Sequence, residues 1–205
     1  MPSSDLPASA AWRHHEAREG FESVFLRTEP SGYSLTGTTA AVEDGIAWVV
    51  GYDISLDDHW ITRTVRIWAL TSTGEHARVL RADGPGRWRI DGRPAPELDG
   101  CLDVDLESSA CTNTIPVHRL GLRPGETAAA PAVYVRAVDL RIERLEQEYA
   151  RPVDHLDSDG VAGGGGGGGH QRYGYRAPRF DYDGQLVYDQ SGLVIEYPGI
   201  AVRVQ

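Results

Sequence analysis

The chain has 205 residues, a net charge of −10 and 40% hydrophobic residues, the composition of a globular protein long enough to bury a core. The negative charge argues against a nucleic acid partner, because phosphate binding depends on Lys and Arg. No apolar run reaches the about 18 residues of a membrane-spanning helix, and the first residues lack the basic and apolar segments of a signal peptide. We therefore expect a cytoplasmic protein that does not insert into membranes.

Through most of the chain, apolar and polar residues alternate with the period of β-strands. Residues 32–42 and 46–54 predict a hairpin closed by Glu43-Asp44-Gly45, with Trp48 and Tyr52 on its buried face. So many short strands separated by turn signals predict a mainly β protein, either a barrel, a roll or a sandwich. Further strands are predicted at 60–70, 76–83, 87–90, 101–106, 132–138, 172–176, 185–188, 193–197 and 200–204.

A short helix is predicted at TNTIPVHRLG, residues 112–121. Thr112 and Thr114 suit helix caps, Pro116 suits a first turn and Gly121 suits the end of a helix. The segment LRIERLEQEYA, residues 140–150, is ambiguous, since its residue types favour a helix but its apolar spacing does not decide between helix and strand.

Seven consecutive glycines, Gly163–Gly169, form the most unusual segment of the sequence. Freezing so many glycines costs too much conformational entropy for regular structure, and no βαβ unit surrounds them, so a nucleotide-binding loop is not indicated. We expect one domain over residues 1–205, with a flexible inserted loop at about 152–171.

The absence of lysine and the spacing of the cysteines exclude several kinds of site. Without lysine there is no P-loop lysine, lysine Schiff base or Ser–Lys nucleophile. Cys101 and Cys111 lack zinc-site spacing, and in a reducing compartment we expect both to be free thiols. The histidines are dispersed and no nucleophile motif occurs, so we predict no catalytic residue, metal or cofactor.

Asp103 and Asp105 are the first candidate site. In CLDVDL they alternate with apolar residues and so lie on one face of a strand, about 7 Å apart. That spacing suits acid–base chemistry or cation binding. The alternative is a polar strand face in water, or aspartates paired with arginines.

Arg63 is the second candidate, because it falls on the same predicted face as Ile61, Val65 and Ile67. A charge in an apolar row must be paired or must face a wet cavity. It predicts either an anchor for an anionic or sugar head group at the mouth of a cavity, or a buried ion pair with Asp103 or Asp105.

Between Trp12 and Val204 the chain carries a characteristic series of motifs: Trp60-Ile61-Thr62-Arg63, Gly86-Arg87-Trp88, GCLDVDL, TNTIPVHRLGL, Tyr173-Gly174-Tyr175 and GLVIEYPG. Their order resembles the glycolipid-binding family once classified as a domain of unknown function. DVDL followed by TNTIPVHRL is the most specific part of the resemblance, although Ser109-Ala110-Cys111 stands where a Pro-Phe type of step is expected.

This resemblance implies a spiral β-roll, in which a many-stranded antiparallel sheet wraps around a single helix, and a tight homodimer. It assigns TNTIPVHRL to the enclosed helix and favours strand for residues 140–150.

The function implied by the resemblance is non-catalytic binding or carriage of a glycolipid or other amphiphile inside the roll. Two alternatives stay open: a hydrolase or isomerase using Asp103 or Asp105 as base, and a structural dimer whose polar row locks the roll around its helix. The predicted ligand-binding residues are Arg63, Asp103, Asp105, Asn113, Arg119, Trp60, Tyr149 and Tyr175.

Overall fold

The computed structural model describes residues 6–153 and 169–204, which form seventeen strands and one α-helix. The strands are β1 (Ser9–His14), β2 (Glu19–Glu29), β3 (Gly32–Glu43), β4 (Ile46–Leu56), β5 (Thr62–Thr71), β6 (Gly74–Ala82), β7 (Trp88–Ile90), β8 (Arg93–Pro94), β9 (Asp103–Leu106), β10 (Thr127–Ala129), β11 (Ala132–Val135), β12 (Ile142–Leu145), β13 (Glu148–Ala150), β14 (Gln171–Ala177), β15 (Tyr182–Tyr188), β16 (Val194–Tyr197) and β17 (Ala201–Arg203). The helix is α1 (Thr114–Leu120), and short 3-10 turns lie at Pro96–Leu98, Cys111–Asn113 and Pro178–Phe180.

Fourteen of these strands form one antiparallel sheet in the order β10-β13-β14-β15-β16-β17-β1-β2-β3-β4-β5-β6-β7-β8. The first and last strands are neighbours inside this sheet, because β1 pairs with β17 on one side and with β2 on the other. The two edge strands, β10 and β8, do not pair with each other within the described residues, so the sheet is open. The architecture is a β-roll, as predicted.

The hairpin between β3 and β4 follows the sequence prediction closely. Asp44 and Gly45 both have positive φ, 50° and 76°, as a tight two-residue turn requires. The pairing then runs in register from Glu43 opposite Ile46 to Tyr33 opposite Leu56. Trp48 and Tyr52 are buried, so the predicted inward face of β4 is confirmed.

Strands β1 and β2 lie outside the predicted elements, although β2 is among the longest. Their buried faces carry His14 and Glu22 beside Trp12 and Val24. Because two ionisable residues occupy inward positions, the alternation of apolar and polar residues is hidden in the sequence.

A small sheet in the order β12-β11-β9 completes the fold. β9 runs parallel to β11, while β12 runs antiparallel to it with Ile142 opposite Val135. Residues 140–150 are therefore strands β12 and β13, because sheet pairing outweighs the helical preference of their side chains.

Helix α1 begins at Thr114 and ends before Gly121, whose φ of 53° gives the left-handed C-terminal turn predicted for it. The predicted N-terminal caps, Thr112 and Thr114, are wrong. Asn113 occupies the N-cap position without a side-chain cap bond, since the chain enters the helix from a 3-10 turn, and Thr114 lies inside the helix.

The interior contains two clusters of buried side chains. One includes Trp12, Trp48 and Trp88 and lies under the long strands. The other is rich in tyrosine and lies among α1, β11 and β13–β16. Residues 154–168, with most of the polyglycine run, lie outside the described residues, so the flexible loop stays a prediction, as does the single domain.

Candidate functional site

A cavity of about 210 Å³ is lined jointly by the small sheet, by the turn after β9 and by strands β14–β16. We call it the tyrosine cavity. Its walls combine carboxylates, arginines, hydroxyl and amide groups with four tyrosines. The lining residues are Arg18, Asp105, Leu106, Glu107, Ser109, Asn113, Tyr134, Arg136, Tyr175, Ala177, Phe180, Tyr182, Tyr197 and Ile200.

Asp105 supplies the most perturbed group of this cavity. The parallel pairing of β9 and β11 places it opposite Tyr134, with 8% of its surface exposed. Among the described residues its side chain receives one long hydrogen bond, 3.4 Å from Thr112 Oγ1. Burial raises the pKa of Asp105 to about 7, and the charges of Glu107 and Asp103 act in the same direction. The carboxyl group therefore titrates near neutral pH.

Glu22, on the large sheet, fixes the turn that follows β9. Its carboxylate accepts hydrogen bonds from Tyr52 Oη at 2.6 Å, from Ser109 Oγ and from the backbone N–H of Ala110 at 2.8 Å. Burial raises the pKa of Glu22, and these hydrogen bonds oppose that effect. Ser109 thus supplies a hydrogen-bond donor that a Pro-Phe step would lack. Through these bonds Glu22 of β2 fixes the turn after β9.

Asn113 is also held in place by tyrosine hydroxyls. Tyr149 Oη donates to Asn113 Oδ1 at 2.7 Å, and Tyr188 Oη donates to the Asn113 carbonyl at 3.3 Å. Because its amide oxygen is engaged, the NH₂ group of Asn113 is the part left to meet a ligand.

Tyr175 lies at the centre of an aromatic wall. Its ring centroid is 5.0 Å from that of Tyr149, 5.7 Å from Tyr182 and 5.9 Å from Tyr197. Its hydroxyl donates to Gln147 Oε1 at 2.9 Å, which fixes the ring. The wall offers aromatic faces together with hydroxyl groups.

Two arginines border the same cavity. Arg136 Nη1 lies 2.9 Å from Glu107 Oε1 in an ion pair. Arg18 is 6% exposed and donates to the Glu107 carbonyl at 2.7 Å, while its Nε lies 3.7 Å from a carboxylate oxygen of Glu43. Since Glu107 pairs with Arg136 and Arg18 pairs with Glu43, Asp105 is the cavity charge that no ion pair among the described residues engages.

Asp103 has a different environment from Asp105, although the two share one strand. Asp103 is fully buried and accepts two hydrogen bonds from Arg119, from Nε and from Nη2, both at 2.7 Å. Burial raises the pKa of Asp103, and the Arg119 guanidinium acts in the opposite direction. Asp103 and Arg119 form a structural ion pair and do not line the tyrosine cavity.

Arg63 does not lie in the predicted apolar row. Leu56 pairs with Thr62 and Ser55 with Thr64, so Arg63 is the extra residue of a β-bulge, and Thr62 takes the buried position. The Arg63 side chain is 38% exposed and pairs with Asp57 at 2.7 Å, rather than with Asp103 or Asp105.

Trp60 also lies away from the cavity. Its ring stacks on His118 with centroids 3.8 Å apart and on Tyr33 with centroids 4.4 Å apart. Of the eight predicted binding residues, Asp105, Asn113 and Tyr175 line the tyrosine cavity, and Tyr149 contacts two of them.

Several cavity residues were not predicted, among them Arg18, Glu107, Tyr134 and Arg136. They come from separate strands and loops, so no local spacing relates them. The remaining tyrosines of the cavity had a signal in the composition. Five of the nine tyrosines follow residue 170, and three of these, Tyr175, Tyr182 and Tyr197, line the cavity, although only Tyr175 was predicted.

Fold and cavity together define the class of protein: an open antiparallel β-roll around one short helix, with a cavity lined by polar and aromatic side chains. The chain belongs to the family described as "Putative glycolipid-binding", whose model matches residues 9–203.

Comparison with solved structures agrees with this assignment. The chain is similar to the crystal structure of a DUF1089 family protein from Pseudomonas aeruginosa, with 29% sequence identity and a TM-score of 0.70. The match covers 98% of this chain and 94% of that chain. No curated protein matches the sequence. Among the described helices, none has the length and apolar character needed to cross a membrane.

Proposed function

We propose that the protein binds the polar head of a glycolipid or similar amphiphile in the tyrosine cavity, without catalysing a reaction. The observation that supports this most directly is the convergence of Asp105, Asn113 and Tyr175 on one cavity in a member of this family. A few convergent polar groups in an otherwise aromatic and apolar pocket are typical of small-molecule sites.

The volume of the cavity suits a head group rather than a whole lipid. Its 210 Å³ lies below the about 300–1,000 Å³ of pockets that hold drug-sized ligands. An acyl chain would therefore lie outside it. Phe180, 40% exposed, lines the cavity and offers apolar surface for such a chain.

The chemistry of the walls suits a sugar. Tyrosine faces offer apolar surface to the C–H groups of a sugar ring, and their hydroxyls remain polar. Ionised Asp105 accepts hydrogen bonds from neighbouring sugar hydroxyls, and the Asn113 NH₂ group donates one. In this proposal Tyr149 acts through Asn113, while Arg63, Asp103, Arg119 and Trp60 support the fold.

Binding is favoured over hydrolysis because of the state of the carboxylates. Most glycoside hydrolases use two carboxyl groups on either side of the bond. Here Asp103 is paired with Arg119 and Glu107 is paired with Arg136. Among the described residues of the site, Asp105 is then a single unpaired carboxyl group, and the second carboxyl group that hydrolysis needs is missing.

Short-chain alkyl glycosides test the proposal. Titration calorimetry with octyl glucoside below its micelle concentration should give saturable binding, and an octyl sulfonate should give none at this site. Asp105→Asn should weaken glycoside binding about tenfold or more, since a charged acceptor is lost.

The matched control is Asp58→Asn, which removes a carboxylate that is 75% exposed in the turn between β4 and β5. It should bind as the wild type does. Equal affinities for the two variants, or equal binding of glycoside and sulfonate, would contradict a sugar-specific site at Asp105.

We further propose that the homodimer implied by the resemblance forms through the outer face of β2–β5. Phe21 and Phe25 form one ridge on this face and Trp68 and Leu70 another, all at least 39% exposed. Between them Ala40, Ala47 and Val49 line a groove of about 590 Å³.

The same face thus carries both ridges and a groove, as a self-complementary two-fold interface requires. Gly51 contributes to this shape, because a Cβ there would come within 2.4 Å of the Trp68 ring that lies over it.

Leu70→Glu should convert the dimer to a monomer, because two copies of the charge would be buried at the interface. Light scattering after gel filtration measures the mass. Val204→Glu, at an exposed apolar position of the C-terminal segment, is the control and should stay dimeric. A monomeric wild type at every concentration would contradict the proposal.

A further inference from the structure

A second concave site lies at the β8 edge of the large sheet. It is a groove of about 480 Å³ beside β6, β7 and β8, and none of its lining residues belongs to the tyrosine cavity. We call it the arginine groove. Its volume falls within the about 300–1,000 Å³ typical of small-molecule pockets.

Two like charges face each other in this groove. Arg81 on β6 lies directly opposite Arg89 on β7 in the antiparallel register, and both side chains line the groove. Like charges at opposed positions of a strand pair repel and destabilise the pairing. Within the described residues, neither arginine forms an ion pair with a carboxylate, so the repulsion is not relieved by a neighbour.

The two acidic residues of the groove bond to groups other than Arg81 and Arg89, and the partner of Asp83 is a third lining arginine, Arg87. Both oxygens of Asp83 bond to Arg87, at 3.1 Å from its backbone N and 2.6 Å from its Nε. Asp99 accepts a hydrogen bond from the backbone N–H of Trp88 at 3.3 Å. The Arg89 side chain is fixed by a hydrogen bond that its Nη1 donates to the Gly92 carbonyl at 3.0 Å.

The remaining walls are apolar. Pro94, Pro96, Ala82 and Trp88 line the groove together with Arg81 and Arg89. A ligand that fills this space therefore needs an anionic group at one end and an apolar portion at the other.

We propose that the arginine groove binds a small organic anion, with its phosphate or carboxylate group between Arg81 and Arg89 and its apolar portion against Pro94 and Pro96. Planar guanidinium groups bind both of these anions through paired hydrogen bonds. The site is separate from the tyrosine cavity and does not depend on the function proposed for it.

The test uses the full chain and three probes at constant ionic strength: inorganic phosphate, glycerol 3-phosphate and dihexanoyl phosphatidic acid below its micelle concentration. Titration calorimetry should show saturable binding of at least one probe. Arg81→Gln combined with Arg89→Gln should weaken it about tenfold or more, since two charge-assisted contacts are lost.

The matched control is Arg172→Gln combined with Arg176→Gln. It makes the same change in charge on the exposed face of β14, away from the groove, and should keep wild-type affinity. Without any probe, the Arg81/Arg89 variant should unfold at the same temperature as the wild type or higher, because a repulsive pair has been removed. This readout separates loss of a site from misfolding.

The probes also distinguish two sources of the anion. Tighter binding of the phosphatidic acid than of inorganic phosphate would support an apolar contact with Pro94 and Pro96 and assign the site to an amphiphile. Tighter binding of glycerol 3-phosphate would assign it to a small soluble anion, and equal affinity for all three would overturn the apolar contact. No saturable binding of any probe, or an equal loss of affinity in both double variants, would overturn the proposal.

Discussion

Replacing Asp105 with asparagine should make the protein more stable at neutral and alkaline pH. Burial raises the pKa of Asp105 from 3.8 to about 7, which means that ionising this group in the folded state is costly. The free energy of unfolding at about pH 8 should rise by up to about 4 kcal/mol, since one pKa unit corresponds to about 1.4 kcal/mol. Asparagine keeps an acceptor for Thr112 without the charge.

The pH dependence follows from the direction of the shift. Between about pH 4 and pH 7 the folded protein holds a proton on Asp105 that the unfolded chain has released, so stability falls as the pH rises through this range. The variant lacks that dependence. Its advantage over the wild type should be largest above about pH 7 and should disappear near pH 4.

Urea denaturation of both proteins at several pH values measures the difference. The other buried groups, including Glu22 and His14, titrate in both proteins and cancel in the comparison. Asp58→Asn, at an exposed position, should show no such pH-dependent gain. If Asp105→Asn were less stable than the wild type at about pH 8, the carboxylate would have a favourable partner and its proposed role as the open acceptor would fail.

The stability of the unliganded protein and its affinity for a glycoside both depend on Asp105. A buried carboxylate without a strong partner costs free energy in the unliganded protein, and a ligand that donates hydrogen bonds to it would recover that cost. Asp105→Asn should therefore gain stability and lose glycoside affinity together. A purely structural carboxylate predicts the reverse, a loss of stability without an effect on binding.

The strands could be predicted largely because their signals are local. Asp44 and Gly45 have positive φ in the structure, as the predicted turn requires, and the alternation in β4 matches its buried face. The pairing of β1 with β17 and the parallel pairing of β9 with β11 join distant segments, and nothing in either strand specifies its partner.

The candidate site was only partly predictable, for a related reason. Asp103 and Asp105 look equivalent in CLDVDL, and what separates them is Arg119, which approaches Asp103 from the helix sixteen residues later. Arg63 was misplaced because a one-residue bulge changes which side chain faces inward, and the alternation pattern of a single strand does not reveal a bulge.

Arg119→Met should destabilise the protein strongly. Arg119 supplies two hydrogen bonds to Asp103, whose side chain is fully buried, so the substitution leaves a carboxylate without partner or solvent. Stranding a buried charge in this way costs about 3–5 kcal/mol. Denaturation at neutral pH measures the loss, and the same change at the exposed pair of Arg123 with Glu126 should cost far less, because solvent screens that pair.

The double substitution Asp103→Leu with Arg119→Met separates the stranded charge from lost packing. Removing both charges leaves no unpaired group, so the double variant should recover most of the stability lost by Arg119→Met. Lowering the pH should also recover part of the stability lost by Arg119→Met. An unpaired, buried Asp103 has a raised pKa, and its protonated form carries no charge that needs a partner. If the single and double variants were equally unstable at every pH, the contribution of Arg119 would lie in packing around α1 and not in neutralising Asp103. A recovery in both experiments would show that Arg119 neutralises one of the two adjacent aspartates, which leaves Asp105 as the carboxylate open to a ligand.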